Sequence, residues 1–203
     1  SYMNPTNERK MGEIIGEEQI AVSLSSEVDP EFREYQRTST TVVNAYTKPI
    51  ASRYLMNLEE SLRKLGVTTT LYIMQSSGGI MTSEVAKSRP VQMIESGPAA
   101  GVIAATNIGK VIGCQDVISI DIGGTTAKGS LIKGGRPGET TDFEVGGISS
   151  VAGRKRGGSG YPIRASVIDL AEIGAGGGSI AWIDPGGVLH VGPRSAGASP
   201  GPV

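Results

Sequence analysis

Cysteine, histidine and tryptophan each occur once in the 203 residues, and aromatic residues make up only 4% of the chain. A single cysteine, Cys114, excludes an internal disulfide framework and any multi-cysteine metal site, and it fits a reducing, cytoplasmic setting. A histidine–carboxylate metal cluster is excluded by count, because His190 stands alone. A Ser-His-Asp triad would have to use His190, and no Gly-x-Ser-x-Gly elbow accompanies it. His190 lies in a short alternating run, where a structural role is expected. No apolar run approaches the span of a bilayer, and the first residues lack the apolar core of a signal peptide. The net charge of −1 removes the electrostatic case for nucleic acid or a membrane surface. Internal repeats are absent. So is a Walker A sequence, since Gly109-Lys110 is followed by Val111 and lacks the upstream glycine.

Small and branched residues dominate instead. A hydrophobic share of 38% with 30 glycines describes an α/β protein with many tight turns, and the length suits one well-filled domain over residues 1–203. The polar opening, with no obvious element, and the loop-like ending predict a piece of a longer protein. Ile20, Val22 and Leu24 alternate with small residues, which predicts a short strand. Asp29-Pro30 reads as a helix N-cap with proline at the first helical position. A helical pattern runs from Phe32 to Leu65, with Tyr54, Leu55, Leu58, Leu62 and Leu65 on one face; Pro49 is expected to kink or divide it, and Gly66 to close it. Thr69 to Met74 predicts a strand broken at Ser77-Gly78-Gly79, and Ser83-Glu84 the start of a short helix. Pro98 to Ile112 predicts a second long helix, whose many small residues suggest a close crossing with another helix. Lys133 to Gly138 reads as a loop, and Gly153 to Arg164 as a mobile, basic, glycine-rich stretch. Ala165 to Ile173 resumes as a strand, and Ser179 to Ile183 pairs with Val188 to Val191 across Asp184 to Gly187.

The most chemically suggestive run is Val117-Ile118-Ser119-Ile120-Asp121-Ile122-Gly123-Gly124-Thr125-Thr126. An apolar strand ends in a carboxylate, two glycines that let backbone N–H groups approach an anion, and two threonine hydroxyls. Asp121 is placed to hold Mg²⁺ through water. A plain β-hairpin turn returning through Ala127 to Ile132 accounts for the same residues, and the two readings are compatible. A second cluster, Gly174 to Ala181, formally matches the dinucleotide fingerprint, but Asp184-Pro185-Gly186 ends any helix before it can present its N-terminus to pyrophosphate. Among the carboxylates only Asp121 has a functional context; Asp142, Glu144, Asp169, Glu172 and Asp184 read as solvated, capping or turn residues.

Several segments in this order resemble the hydantoinase A/5-oxoprolinase family: Ser25 to Val28, Pro30 to Tyr35, Arg37 to Tyr46, Met74 to Gly79, Ser96 to Gly101, Asp121 to Thr126, Gly174 to Ala181 and Gly192 to Gly197. The resemblance runs from about Ser25 to Val203. It implies an α/β fold of the actin-like ATPase (ribonuclease H-like) kind, a mixed sheet with flanking helices forming one half of the two-lobed ATPase. It further implies ATP and Mg²⁺ as cofactors and a cyclic amide of the hydantoin or 5-oxoproline type as substrate, opened after phosphorylation of its carbonyl oxygen. A B-type partner subunit or domain is implied as well, with no role for nucleic acid or membrane. By the same resemblance Asp121 positions the metal, and Gly123, Gly124, Thr125 and Thr126 hold phosphates. Asp121 and Thr125 then act on the reacting groups, while Gly176, Gly177 and Gly178 lie against adenosine. The Pro98 to Ile112 helix corresponds to the superfamily's interdomain connecting helix. Two departures stand out: family members carry another Gly-Gly-Thr near the subunit's N-terminus, which this chain lacks, and Lys128 stands where many members have Asp. A lysine there either neutralises phosphate charge or points to solvent. A ketone-carboxylase subunit and a non-catalytic nucleotide- or partner-binding fragment are the alternative readings, and residues 1–203 alone are expected to turn over neither hydantoin nor 5-oxoproline.

Overall fold

A computed structural model describes residues 2–18, 20–141, 143–146, 160–197, 199 and 201–202. Asp142 and the greater part of the glycine-rich basic stretch, up to residue 159, lie outside the described residues. The helices in chain order are α1 (Thr6–Glu17), α2 (Ser25–Val28), α3 (Glu34–Lys64), α4 (Ser83–Ser88) and α5 (Ser96–Val111). The strands are β1 (Tyr72–Met74), β2 (Ile80–Thr82), β3 (Val117–Ile122), β4 (Ala127–Lys133), β5 (Arg136–Pro137), β6 (Glu139–Thr140), β7 (Phe143–Val145), β8 (Tyr161–Ile163), β9 (Val167–Ile168), β10 (Ala171–Ile173), β11 (Ser179–Ile183) and β12 (Leu189–Ser195). They form two compact units. The first takes Ser1–Ala100, Glu139–Gly146 and Gly160–Ile168; the second takes Gly101–Gly138 and the residues from Asp169 onward.

The first unit is organised by α3, whose two ends do different work. Its C-terminal half supplies apolar contacts: Leu55 is buried against Met81 and Ala86, with Ile73 and Met93 alongside. Of the predicted stripe, Leu55, Leu58 and Leu62 turn inward while Tyr54 and Leu65 are exposed. Gly66 ends the helix in a left-handed conformation, its N–H donating to Arg63 O and that of Val67 to Leu62 O. That is the paired bonding that satisfies a helix's last carbonyls. Pro49 does not divide α3, which runs unbroken past it.

The N-terminal half of α3 works through polar side chains. Buried Asn44 donates to Ser23 Oγ (3.0 Å) and Ser88 O (3.1 Å) and accepts from the Val91 N–H (3.2 Å), while Lys48 Nζ donates to Val22 O. These bonds hold residues 20–24 along the helix, so the predicted strand there is absent: the alternating segment packs against helical side chains and forms no ladder. Asp29 is the C-cap of α2, and α3 begins only at Glu34, which corrects the reading of Asp29 as an N-cap. The polar opening folds as α1, where Gly12 allows the Leu24 side chain to pack closely.

In the second unit β3 and β4 form an antiparallel hairpin, in register from Val117↔Ile132 to Ile122↔Ala127, and β10 adds on the far side of β4. The predicted strand from Ala165 to Ile173 is two short ones, β9 and β10, belonging to different units. One face of the β3–β4–β10 sheet carries Ile118, Ile120, Ile122, Leu131 and Ile173, all exposed. The close helix crossing expected of α5 is not made at Gly97 or Gly101, where a Cβ would meet nothing within 4 Å. Only Gly109 is crowded, and by Cys114 O and Val117 of the segment that follows the helix.

Replacing Leu55 by Ala removes the largest side chain of the first unit's core cluster. A loss of about 2–5 kcal/mol is expected in a urea-unfolding experiment.

Candidate functional site

Asp121, the 123–126 turn and Gly176 to Gly178, the residues singled out from sequence, come together in the second unit. Asp121 is the penultimate residue of β3 and is exposed. Gly123, Gly124, Thr125 and Thr126 form the hairpin tip, closed by a hydrogen bond from Gly123 N–H to Thr126 O (2.9 Å). Because β10 ends with Ile173 opposite Ala127, the loop that follows arrives directly at this tip. There Gly177 N–H donates to Gly123 O and Gly178 N–H to Gly124 O, both at 2.9 Å.

Two of the glycines are needed for that approach. A Cβ on Gly176 would stand 2.5 Å from Gly123 O and 2.7 Å from Thr126 N, and one on Gly178 would stand 3.0 Å from Gly124 O. No side chain fits at Gly176 without moving backbone. Gly123 and Gly124 are different. Neither has left-handed backbone, and a Cβ on Gly124 would meet nothing within 4 Å. Folding explains Gly176 and Gly178 but gives no reason for glycine at the outer tip.

The carbonyls of Gly123, Gly124 and Thr126 are therefore occupied, while several of the tip's donors are not. Among the described residues, the N–H groups of Gly124 and Thr125 and the hydroxyls of Thr125 and Thr126 make no hydrogen bond. Gly178 is braced from behind, its carbonyl accepting from Ala196 N–H (2.7 Å) and Ser195 Oγ (3.0 Å), which gives the Gly192 to Gly197 segment a structural task.

Asp121 shares a sheet face with Lys128 and Glu172, which lie opposite one another across three strands. Lys128 Nζ is 3.7 Å from Glu172 Oε1, and its side chain is largely buried, so it does not simply extend into solvent. No group of three or more His, Cys, Asp and Glu side chains able to hold a metal exists among the described residues. A single carboxylate is what a hydrated Mg²⁺ shared with phosphates requires.

His190 has the structural role expected of it. Its ring stacks on Trp182 (centroids 4.6 Å apart) and its Nε2 lies 2.8 Å from Asp184 Oδ2, while Asp184 Oδ1 accepts from the N–H groups of Gly186 and Val188. The His190 hydrogen bond, followed by those backbone donors, lowers the Asp184 pKa.

One carboxylate with an unusual environment escaped the sequence reading. Asp29, in the first unit, is 4% exposed; burial raises its pKa despite the nearby Arg164 guanidinium, whose Nη1 lies 3.2 Å from Oδ1. No local pattern marks it, because Arg164 is 135 residues away.

Comparison with known proteins gives the class of the fold that carries this tip. The hydantoinase/oxoprolinase family profile matches residues 37–203, and the chain belongs to that family. An uncharacterized protein of Methanocaldococcus jannaschii is 53% identical over the whole chain, which covers 30% of that relative. The caprolactamase α subunit of Pseudomonas jessenii is 38% identical over the whole chain, which covers 28% of the subunit. The crystal structure of the ATP-dependent caprolactamase from Pseudomonas jessenii superposes with a TM-score of 0.74 at 37% identity over 99% of this chain and 28% of that one. The nucleotide-free structure of acetone carboxylase, an enzyme of ATP-dependent acetone carboxylation, gives 0.75 at 28% identity over 97% of this chain and 27% of that one. The fold is thus the actin-like ATPase kind of these enzymes, and the chain spans less than a third of their length.

Gly176→Ala should displace the hairpin tip and lower the melting temperature, whereas Gly174→Ala, with open space around it, should not. A second expectation concerns acid. Because the Asp184 pKa is lowered on folding, its contribution is present above the ordinary aspartate pKa and is lost as the pH falls through the lowered folded value. Trp182, the only tryptophan, should report this as an emission change at acid pH that Asp184→Asn lacks.

Proposed function

We propose that the chain is part of an ATP-dependent hydrolase subunit that opens cyclic amides, with residues 1–203 forming one ATPase-type domain of a longer protein. The observation that carries this is the hairpin tip: the Gly123 and Gly124 carbonyls engaged by Gly177 and Gly178, donors at Gly124, Thr125 and Thr126 without a partner among the described residues, exposed Asp121 two residues before the tip, and open space at the Cβ position of Gly124. Unengaged N–H and O–H donors without a covering Cβ suit phosphate oxygens. Gly123, Gly124, Thr125 and Thr126 hold the phosphates, and Asp121 orients hydrated Mg²⁺. Gly176, Gly177 and Gly178 support the tip and are assigned to the adenosine side.

ATP supplies the phosphoryl group that turns a resonance-stabilised amide carbonyl into an electrophile. With ATP bound, the amide oxygen would attack the γ-phosphorus as the bond to ADP breaks; one water would add to the carbon and the ring C–N bond break, leaving a free amine and an acyl phosphate, and a second water would cleave the acyl phosphate to carboxylate and inorganic phosphate. Thr125 stabilises charge on the transferring group through its hydroxyl and N–H. A cyclic amide is favoured over a ketone because the caprolactamase is more similar to this chain than the acetone carboxylase is. A ketone-carboxylase subunit is the second reading, carried by that enzyme's equally close fold.

The relatives include enzymes named as α, β and γ subunits, which supports a partner subunit here. No helix among the described residues is long and apolar enough to cross a membrane. The lone exposed Cys114 suits a reducing cytoplasm.

The test is made in the full-length protein with its partner, scoring ATP consumption with hydantoin, 5-oxoproline, caprolactam, or acetone plus bicarbonate. Asp121→Asn should fold normally and lose about a hundredfold or more in turnover, the scale of removing a transition-state electrostatic contact. Gly124→Ala should leave the melting temperature unchanged yet weaken ATP binding. Near-normal turnover by Asp121→Asn with unchanged Mg²⁺ dependence would remove the assignment, and ATP consumption with acetone and bicarbonate alone would favour the carboxylase reading.

A further inference from the structure

The charged residues beside the hairpin tip form a row across the sheet. Asp121 on β3, Lys128 on β4 and Glu172 on β10 are direct partners in the two registers, Asp121↔Lys128 and Glu172↔Lys128, so all three stand on one face with the lysine in the middle. The pairs further along that face, Ser119 with Ser130 and Val117 with Ile132, carry no charge. Directly opposed residues on neighbouring strands are within reach of one another, and opposite charges there attract. Lys128 therefore has a carboxylate on either side. Its Nζ lies 3.7 Å from Glu172 Oε1, whereas the Asp121 carboxylate makes no hydrogen bond or ion pair among the described residues.

The Lys128 side chain is 13% exposed and that of Glu172 35%, while Asp121 is exposed, so the engaged pair is the sheltered one and the carboxylate near the tip is left open. We propose, resting on the ATP-site reading above, that Glu172 and Lys128 are positioning residues for Asp121: Glu172 draws the ammonium toward β10 and keeps the Asp121 carboxylate available to hydrated Mg²⁺. An ammonium turned the other way would pair with Asp121 and occupy the oxygens that receive metal-bound water. A lysine on this face is a competitor for the metal carboxylate, and Glu172 offsets that competition. Glu172 also offsets the repulsion that an uncompensated positive charge one strand away would exert on a divalent cation.

The strand that carries Glu172 suits it to this task. β10 pairs with β4 through Ala171↔Gly129, Glu172↔Lys128 and Ile173↔Ala127, and the loop after it supplies the Gly177 and Gly178 N–H groups that bond the tip. One register therefore fixes two things: where the glycine brace meets the tip, and which carboxylate engages the lysine beside it.

The experiment uses the full-length protein with its partner, and compares Glu172→Gln, Lys128→Met, the two combined, and Glu172→Gln in an Asp121→Asn background. The non-hydrolysable analogue AMP-PNP is the probe. Its binding is followed by the rise in melting temperature over a Mg²⁺ series and in EDTA, beside ATP consumption against Mg²⁺. Glu172→Gln should raise the half-saturating Mg²⁺ about two- to fivefold, the scale of a cross-strand charge pair, without weakening AMP-PNP binding in EDTA. Lys128→Met should not raise it, and the combined variant should return to the unaltered value, a rescue that loss of a merely structural glutamate would not show. In the Asp121→Asn background Glu172→Gln should have no effect. Glu172→Asp, one methylene shorter, repeats the test at smaller amplitude if the glutamine variant melts below the assay temperature. Unchanged Mg²⁺ dependence in Glu172→Gln and Glu172→Asp, or a shift that Lys128→Met fails to relieve, would overturn the proposal and leave the ATP-site reading intact. Weaker AMP-PNP binding by Lys128→Met in EDTA would make the lysine a phosphate contact and overturn it as well. No AMP-PNP binding by the unaltered protein at any Mg²⁺ concentration would remove the ATP-site reading, and this pair's role with it.

Discussion

The second unit depends on two stretches of backbone touching with no side chain between them. At Gly176 the chain comes so near Gly123 O and Thr126 N that even a methyl group would force them apart. Several other features follow from this contact. It seats the loop after β10 so that Gly177 and Gly178 bond the two tip carbonyls, and it leaves Gly178 O free to receive Ser195 and Ala196 from the end of β12. The β11–β12 ribbon is thereby tied to the β3–β4 hairpin through Gly176 and Gly178. Three of the tip's carbonyls are engaged, while the N–H groups of Gly124 and Thr125 make no hydrogen bond among the described residues. A turn with that polarity attracts anions without needing a cationic side chain.

The first unit is held differently. Its long helix α3 joins an apolar half around Leu55 to a polar half whose side chains replace a sheet, gripping residues 20–24, 88 and 91 through Asn44 and Lys48. Arg164 extends the same logic, with its main-chain N–H on Thr40 Oγ1 (2.8 Å) and its guanidinium on Asp29, Glu31 and Phe32. Such networks are specific but intolerant of a missing member, since each group buried without a partner costs about as much as a satisfied one contributes, or more.

Elements with a local code were legible in the sequence. The hairpin from Val117 to Ile132, the cap at Gly66, the helix starting at Ser83 and the ribbon turned at Asp184 all depend on residues within a few positions of each other. What misled was pattern whose meaning depends on distant partners. Alternation at residues 20–24 does mark an extended, half-buried segment, but its partner is a helix. Of the glycines of α5, Gly109 is the one closely approached, and by the helix's own exit loop. Asp29-Pro30 has the composition of a helix start, yet Asp29 is buried by contacts with a residue far along the chain. The structure brings the two glycine clusters together beside the end of β3, while the structural need for Gly176 and Gly178 was invisible without seeing the tip they touch.

The route of the chain carries a kinetic consequence. The first unit is left after Ala100 and rejoined at Glu139, so its Asp29–Arg164 clasp closes a loop of well over a hundred residues. Contacts of such sequence separation form late, because the entropy of closing the loop is lost before the contact returns anything. During synthesis α3 and its apolar partners emerge first, and the β3–β4 hairpin is made and able to pair before Arg164 leaves the ribosome. The corner around Asp29 is therefore assembled last of all the elements that define it, and until then its carboxylate remains in water.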